Sequence, residues 1–134
     1  MTGIDNDKYT KLISHLPLIS IDFIVKNSSG KVLLGLRKNN PASGFWFVPG
    51  GRIRRMEEIK DACLRISNAE LGISIKIGEI NLIGIFEHMY DNSSYSENIG
   101  VHYISLGMET DIIDIEIDKF KKKDDLNRDL IGKK

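Results

Sequence analysis

The chain has 134 residues, with 19 Lys and Arg against 19 Asp and Glu, so its formal net charge is zero. A composition 41% hydrophobic and 28% charged fits one globular domain and excludes wholesale disorder or a coiled-coil rod, while neutrality argues against nucleic acid as the main partner. The single Cys63 allows no internal disulfide and no zinc cluster, and no apolar run approaches the ~20 residues of a membrane span.

The acidic N-terminus, with Asp5 and Asp7, is unlike a signal peptide, so the expected setting is the cytoplasm, with no membrane partner. Residues 1–16 read as a short helix, with Tyr9, Leu12, Ile13 and Leu16 at helical spacing and Pro17 ending it. LISIDFIVKN and KVLLGLRK, joined by Ser28-Ser29-Gly30, read as a β-hairpin. Asn39-Asn40-Pro41 opens a loop, FWFV is a short apolar strand, and Pro49-Gly50-Gly51 turns the chain sharply. From Glu57 to Leu71 the pattern is helical, with Ile59, Cys63 and Ile66 on one face and Ala62 and Ala69 beside them. Gly72 suits the residue that ends such a helix.

Two strand-like stretches follow, from Ile73 to His88 and from Ile99 to Met108, separated by DNSSYSEN. Ile113, Ile115 and Ile117 alternate with Asp114, Glu116 and Asp118, which predicts a further strand with an acidic outer face. The tail from Lys119 onward is charged and expected to fray. Strands outnumber helices without alternating with them, which predicts an α+β fold, a mixed sheet packed with helices in a single domain. The expected domain is 1–118, and 119–134 is the tail.

Within this frame Glu70 is unusual. It follows Ile66 by four residues on the apolar stripe, and it sits in the last helical turn, where the macrodipole disfavours an anion by up to ~1 kcal/mol. Such a carboxylate either reaches solvent or is held by a cation, metal or arginine. Glu57 and Glu58 suit a helix N-terminus, and Asp61 can pair with Arg65 at i,i+4. Asp22 shares a strand face with Ser20 and Lys26, for which exposure is the default. Arg37, Lys38, Arg52, Arg54 and Arg55 cluster around FWFVPGG, a composition suited to phosphate. His15, His88 and His102 have no metal-ligand spacing.

Joined up, GGRIRRMEEIKDACLRISNAELGI resembles the Nudix box, G-x5-E-x7-R-E-U-x-E-E-x-G-U, where U is aliphatic. Gly51, Glu57, Arg65, Glu70, Gly72 and Ile73 fall at its positions, while Ile66 and Ala69 replace two glutamates and Ser67 an aliphatic. SIDFIV, LLGLR, PASGFWFVPGGR, AELG, EHMYD and HYISLG are similar to the GDP-mannose mannosyl hydrolase branch of that superfamily. The resemblance implies a Nudix-type fold and Mg²⁺-dependent hydrolysis of a GDP-sugar, by water attack at the anomeric carbon, to GDP and free hexose. Loss of two helix carboxylates leaves one Mg²⁺ as the complement. By resemblance, Glu70 and the Gly50 carbonyl hold Mg²⁺, and Arg37, Arg52 and Tyr103 contact the diphosphate. Arg65 supports the site carboxylate and counts among the substrate-binding residues. The resemblance also puts Asp22 and His88 near the sugar, matches Tyr9 to an aromatic that stacks on guanine, a residue that equally suits the core of a terminal helix, and implies a homodimer serving polysaccharide precursor supply.

The branch's general-base histidine has no counterpart, since no histidine follows His102 and the corresponding stretch reads Lys121-Lys122-Lys123-Asp124-Asp125. Lys123 or Asp124 holds that position, and the closing helix of the branch would lie beyond Lys134. Two alternatives therefore accompany the leading expectation: ordinary Nudix pyrophosphatase chemistry, and a nucleotide-sugar binding protein with impaired turnover.

Overall fold

The computed structural model describes residues 4–36, 44–75, 78, 80–93, 98–111 and 128–132. Arg37 and Lys38, most of the loop from Asn39, the expected strand Ile113–Asp118 and the stretch Lys121–Asp125 lie outside the described residues.

The predicted first helix is α1 (Asn6–Ile13), which begins where the Asp5 carboxylate accepts a hydrogen bond from the Lys8 amide at 2.9 Å. It stops short of Pro17, and of its expected apolar face only Ile13 is buried, Tyr9 being half-buried and Leu12 and Leu16 exposed. The predicted hairpin is β1 (Leu18–Lys26) and β2 (Lys31–Leu36). Its turn is built by Asn27, whose Oδ1 accepts from the Ser29 and Lys31 amides, and by Gly30 in the left-handed region at φ 80°. Two short strands follow, β3 (Trp46–Phe47) and β4 (Gly50–Arg52), the latter continuing the glycine turn as an antiparallel partner of β1.

Helix α2 (Ile59–Leu71) ends as expected, with Gly72 at φ 75° and its amide bonded to the Asn68 carbonyl at 3.0 Å. Ala62, Cys63 and Ile66 are buried, whereas Ile59 is 43% exposed and Ala69 is exposed, so the apolar stripe is narrower than the spacing predicts. Ser67 is also buried: its hydroxyl donates to the Leu64 carbonyl and accepts from the Ile75 amide, tying down the chain beyond the helix.

Strands β5 (Asn81–Tyr90), β6 (Val101–Asp111) and β7 (Arg128–Gly132) complete a seven-stranded sheet among the described residues. Its main path runs β3-β2-β1-β6-β5, with β4 beside β1 and β7 beside β2. The sheet is mixed: β1 and β6 are parallel, from Leu18 opposite Tyr103 to Lys26 opposite Asp111, and every other pairing is antiparallel. The α+β expectation therefore holds. The expectation that the chain frays from Lys119 onward is corrected for Arg128–Gly132, which pair with β2 along five residues. Backbone hydrogen bonds along a strand do not depend on the charged side chains that marked this stretch as tail.

Alternation along β1 decides what each face of the sheet carries. Ile21, Phe23 and Val25 pack with Ala62, Cys63, Ile66 and Leu71 of α2 and with Met108 to form the core. Each large apolar side chain among them contributes about 1.5–3 kcal/mol by leaving water. The intervening Ser20 and Asp22 line a pocket instead.

Candidate active site

The pocket opens where β1, β4, β5, β6 and the end of α2 converge. Its walls include Ser20, Asp22, Gly50, Gly51, Arg52, Glu70, His88, Tyr103 and Ser105. Six of the expected site residues thus share one cavity: Asp22, Gly50, Arg52, Glu70, His88 and Tyr103. Arg37 lies outside the described residues. Two others are not brought there. Tyr9 is half-buried on α1 and is absent from the pocket lining, and Arg65 points to another partner.

Arg65 grips Glu57. Its Nε donates to Glu57 Oε2 at 2.7 Å and its Nη2 to Glu57 Oε1 at 2.8 Å. The same Nη2 donates to the Arg52 carbonyl at 2.8 Å, and the Arg54 amide reaches Glu57 Oε1 at 3.0 Å. This fork draws the loop 52–57 onto the helix and fixes where Arg52 and Gly51 lie. It replaces the expected Asp61–Arg65 pair, because the loop brings Glu57 back over α2. The Arg65 hydrogen bond lowers the Glu57 carboxyl from 4.5 to about 2 against the opposing effect of burial, with the Arg54 amide and both cations adding to the lowering. Arg65 is raised in turn, first by the same hydrogen bond.

Gly50 and Gly51 are required by crowding. A Cβ on Gly50 would collide with the Ile21 carbonyl and stand 2.6 Å from Asp22 Oδ1, and one on Gly51 would press on Ile66 at 3.2 Å. The two glycines let β4 lie against β1 and α2, so that the Gly50 backbone reaches the pocket.

Asp22 does not follow the exposure default of its strand face. It is enclosed by β4 on one side and by β6 and β5 on the other. Burial pushes its carboxyl above the ordinary 3.8, and a nearby His88 charge and a hydrogen bond with Ser105 oppose that rise. Glu70 is half-buried in the same pocket, and among the described residues its carboxylate has no hydrogen bond or ion pair. A partly desolvated carboxylate that shares its pocket with the Gly50 backbone suits a hard divalent cation such as Mg²⁺, so the residues present fit the metal. No group of three or more His, Cys, Asp or Glu side chains forms a metal cluster among the described residues. Glu70 and the Gly50 carbonyl leave coordination positions that substrate and water can fill.

Sequence reasoning missed an aromatic wall and a pair of buried hydroxyls. Tyr90 stacks on His88 with centroids 6.3 Å apart and meets Phe47 and Tyr103 edge-on at 6.4 and 6.5 Å. Tyr90 follows His88 by two residues on the same strand, a spacing that marks a shared face. Ser20 and Ser105 are buried in the pocket lining, and only the pairing of distant strands brings them together.

A family profile described as NUDIX domain matches residues 16–124. The chain is 37% identical over 113 residues to Low-salt glycan biosynthesis protein Agl8 of Haloferax volcanii, covering 84% of this chain and 70% of that protein. It is 32% identical over 113 residues to an ADP-ribose pyrophosphatase of Methanocaldococcus jannaschii, covering 84% of this chain and 60% of that protein. A MutT protein of Methanosarcina mazei Go1 has the same fold, with a TM-score of 0.62 at 19% identity, over 88% of this chain and 79% of the other. Nudix hydrolases generally use a divalent metal such as Mg²⁺. No helix among the described residues is long and apolar enough to cross a membrane. Glycine turn, Glu57–Arg65 fork, pocket carboxylate and profile coincide on one stretch of sequence, and the chain belongs to the NUDIX family of hydrolases.

Proposed function

We propose that the pocket binds a GDP-sugar of the GDP-mannose type and hydrolyses it by water attack at the anomeric carbon, giving GDP and free hexose. The observation that carries this reading is the distribution of carboxylates. Of the acidic residues around α2, Glu57 is taken up by Arg65, Glu58 pairs with Lys60 and Asp61 is exposed. Glu70 alone of these lines the pocket. A helix offering one carboxylate supports one metal, whereas attack at phosphorus in the ordinary pyrophosphatase manner draws on several. The second pocket carboxylate, Asp22, comes from the sheet and stands with His88, an arrangement suited to a developing positive charge on a sugar.

Glu70 and Gly50 would hold Mg²⁺, which when bound neutralises diphosphate charge and makes GDP a better leaving group. Arg52 adds a guanidinium to the same diphosphate, and Tyr103 a phenolic donor. Tyr90 and Phe47 wall the cavity with aromatic surface that a sugar ring can pack against and that excludes water. Asp22 and His88 accept and donate hydrogen bonds to sugar hydroxyls. The Agl8 likeness, named for glycan biosynthesis, supports a nucleotide-sugar role.

The likeness to an ADP-ribose pyrophosphatase favours a second reading, cleavage between the phosphates. Products separate the two. Incubation with GDP-mannose and Mg²⁺ in ¹⁸O-water is expected to give GDP and hexose carrying the label. GMP and hexose 1-phosphate would establish pyrophosphatase chemistry instead. Tight binding of GDP-mannose without turnover would identify a binding protein.

A further inference from the structure

At the floor of the pocket, Ser20 and Ser105 stand opposite each other in the parallel β1–β6 register, with their Oγ atoms 2.7 Å apart. They are only 5% and 2% exposed, and Asp22, two residues beyond Ser20 on the same face of β1, lines the same pocket beside Ser105, which counters the upward push of burial on its carboxyl. Two strand positions buried to this degree are ordinarily aliphatic. A hydroxyl carries one proton, and an ionised carboxylate only accepts. When Asp22 is ionised, a Ser105 hydroxyl that donates to it accepts from Ser20, and the chain of bonds runs Ser20 to Ser105 to Asp22.

We propose that Ser105, oriented by Ser20, is a positioning residue that fixes the Asp22 carboxylate toward the sugar end of the substrate, an inference that rests on the nucleotide-sugar reading above. The carboxylate torsion of an aspartate is broad and shallow, so a rigid backbone alone does not aim its oxygens. The Ser105 hydroxyl occupies one lone pair of the carboxylate from β6, while His88 attracts it from β5. The remaining lone pairs then face the cavity. Ser20 supplies no contact to Asp22 itself. Its part is to take the second orientation of the Ser105 hydroxyl out of play.

Ser105→Ala, Ser105→Thr, Ser20→Ala and Asp22→Asn test this, alone and with Ser105→Ala combined with Asp22→Asn. Turnover of GDP-mannose with Mg²⁺ is expected to fall about tenfold in kcat for Ser105→Ala with KM within about twofold. Ser20→Ala should lose less, and Ser105→Thr should recover most of the rate. The deciding readout is the cycle: Ser105→Ala should cost nothing further on the Asp22→Asn background. Equal losses on both backgrounds, or no recovery with threonine, would overturn the proposal. Should the wild-type protein turn over no nucleotide sugar, the functional reading fails, and thermal unfolding of the same four-protein cycle judges the relay. Ser105→Ala is then expected to lower Tm by several degrees in the otherwise wild-type chain and by less than half as much in the Asp22→Asn variant, and equal shifts would overturn it.

Discussion

Carboxylates at the two ends of helix α2 are treated in opposite ways. Before the helix, Glu57 is held by two Arg65 hydrogen bonds and one from the Arg54 amide, and its carboxyl is lowered to about 2. Toward the other end, Glu70 has no partner among the described residues, and Asp22 across the pocket is pushed upward by burial. The first arrangement has its gains already realised in the folded chain, and it sets loop geometry. The second leaves charge incompletely compensated, a state that stabilises a protein poorly and receives a cation or a polar ligand well. Side chains of the same kind therefore act as structure or as site according to whether the fold supplies their counter-charge.

The sharpest way to break this contrast is to neutralise Glu70. Glu70→Gln is expected to reduce Mg²⁺-dependent turnover roughly a hundredfold or more, with little change in Tm. Retention of full activity would place the metal elsewhere and return Glu70 to the role of a stray charge.

At the opposite end the loss should appear in stability. The folded Glu57 carboxyl lies below its ordinary 4.5, so its contribution is complete above that pH and disappears as pH falls toward about 2. Glu57→Gln is expected to cost about 2 kcal/mol at pH 7, after allowance for partial exposure, and to flatten the acid limb of denaturation between those values. An unchanged acid limb in urea melts would show that the fork does not carry that linkage.

Asp22 has the opposite sign. Its folded pKa is raised, so the cost of burying its charge is absent below 3.8 and grows as pH rises through the folded value. Asp22→Asn should raise Tm by about 3 °C at pH 7 while lowering turnover about a hundredfold to a residual rate that is still measurable, and the gain should vanish near pH 3. A destabilised variant at pH 7 would mean that the charge is compensated in the fold after all.

The smallest effect concerns the loop itself. Met56 is 87% exposed and sits at φ 63°, a left-handed conformation in which a Cβ is disfavoured. Met56→Asn should raise Tm by about 2 °C and leave turnover intact. A drop in activity would show that the strained turn is needed to seat the Glu57–Arg65 fork.

Much of this is legible in the chain because it is local. Five residues between Gly51 and Glu57, seven to Arg65 and the closing Gly72 report a turn, a fork and a helix end within a short stretch. What resists reading is non-local. The face shared by Ser20, Asp22 and Lys26 looks like a solvent face until β6 and β5 are laid beside β1, which no period in the sequence announces. Glu57 displaces Asp61 as the partner of Arg65 because the preceding loop folds back, whereas i,i+4 spacing considers only the helix. Tyr9, matched by resemblance to a base-stacking residue, does not line the pocket. Tyr90 is within reach of strand alternation from His88, but aromatic residues in strands ordinarily indicate core, and that prior hides it.

The parallel pairing of β1 with β6 has a kinetic consequence. The serines that meet across it are 85 positions apart in the chain, so the pocket floor cannot form before a long loop has closed. Loop closure of that kind is slow compared with forming the β1–β2 hairpin or α2. Binding competence should consequently emerge only with the final cooperative phase of refolding, after most helical signal has already recovered.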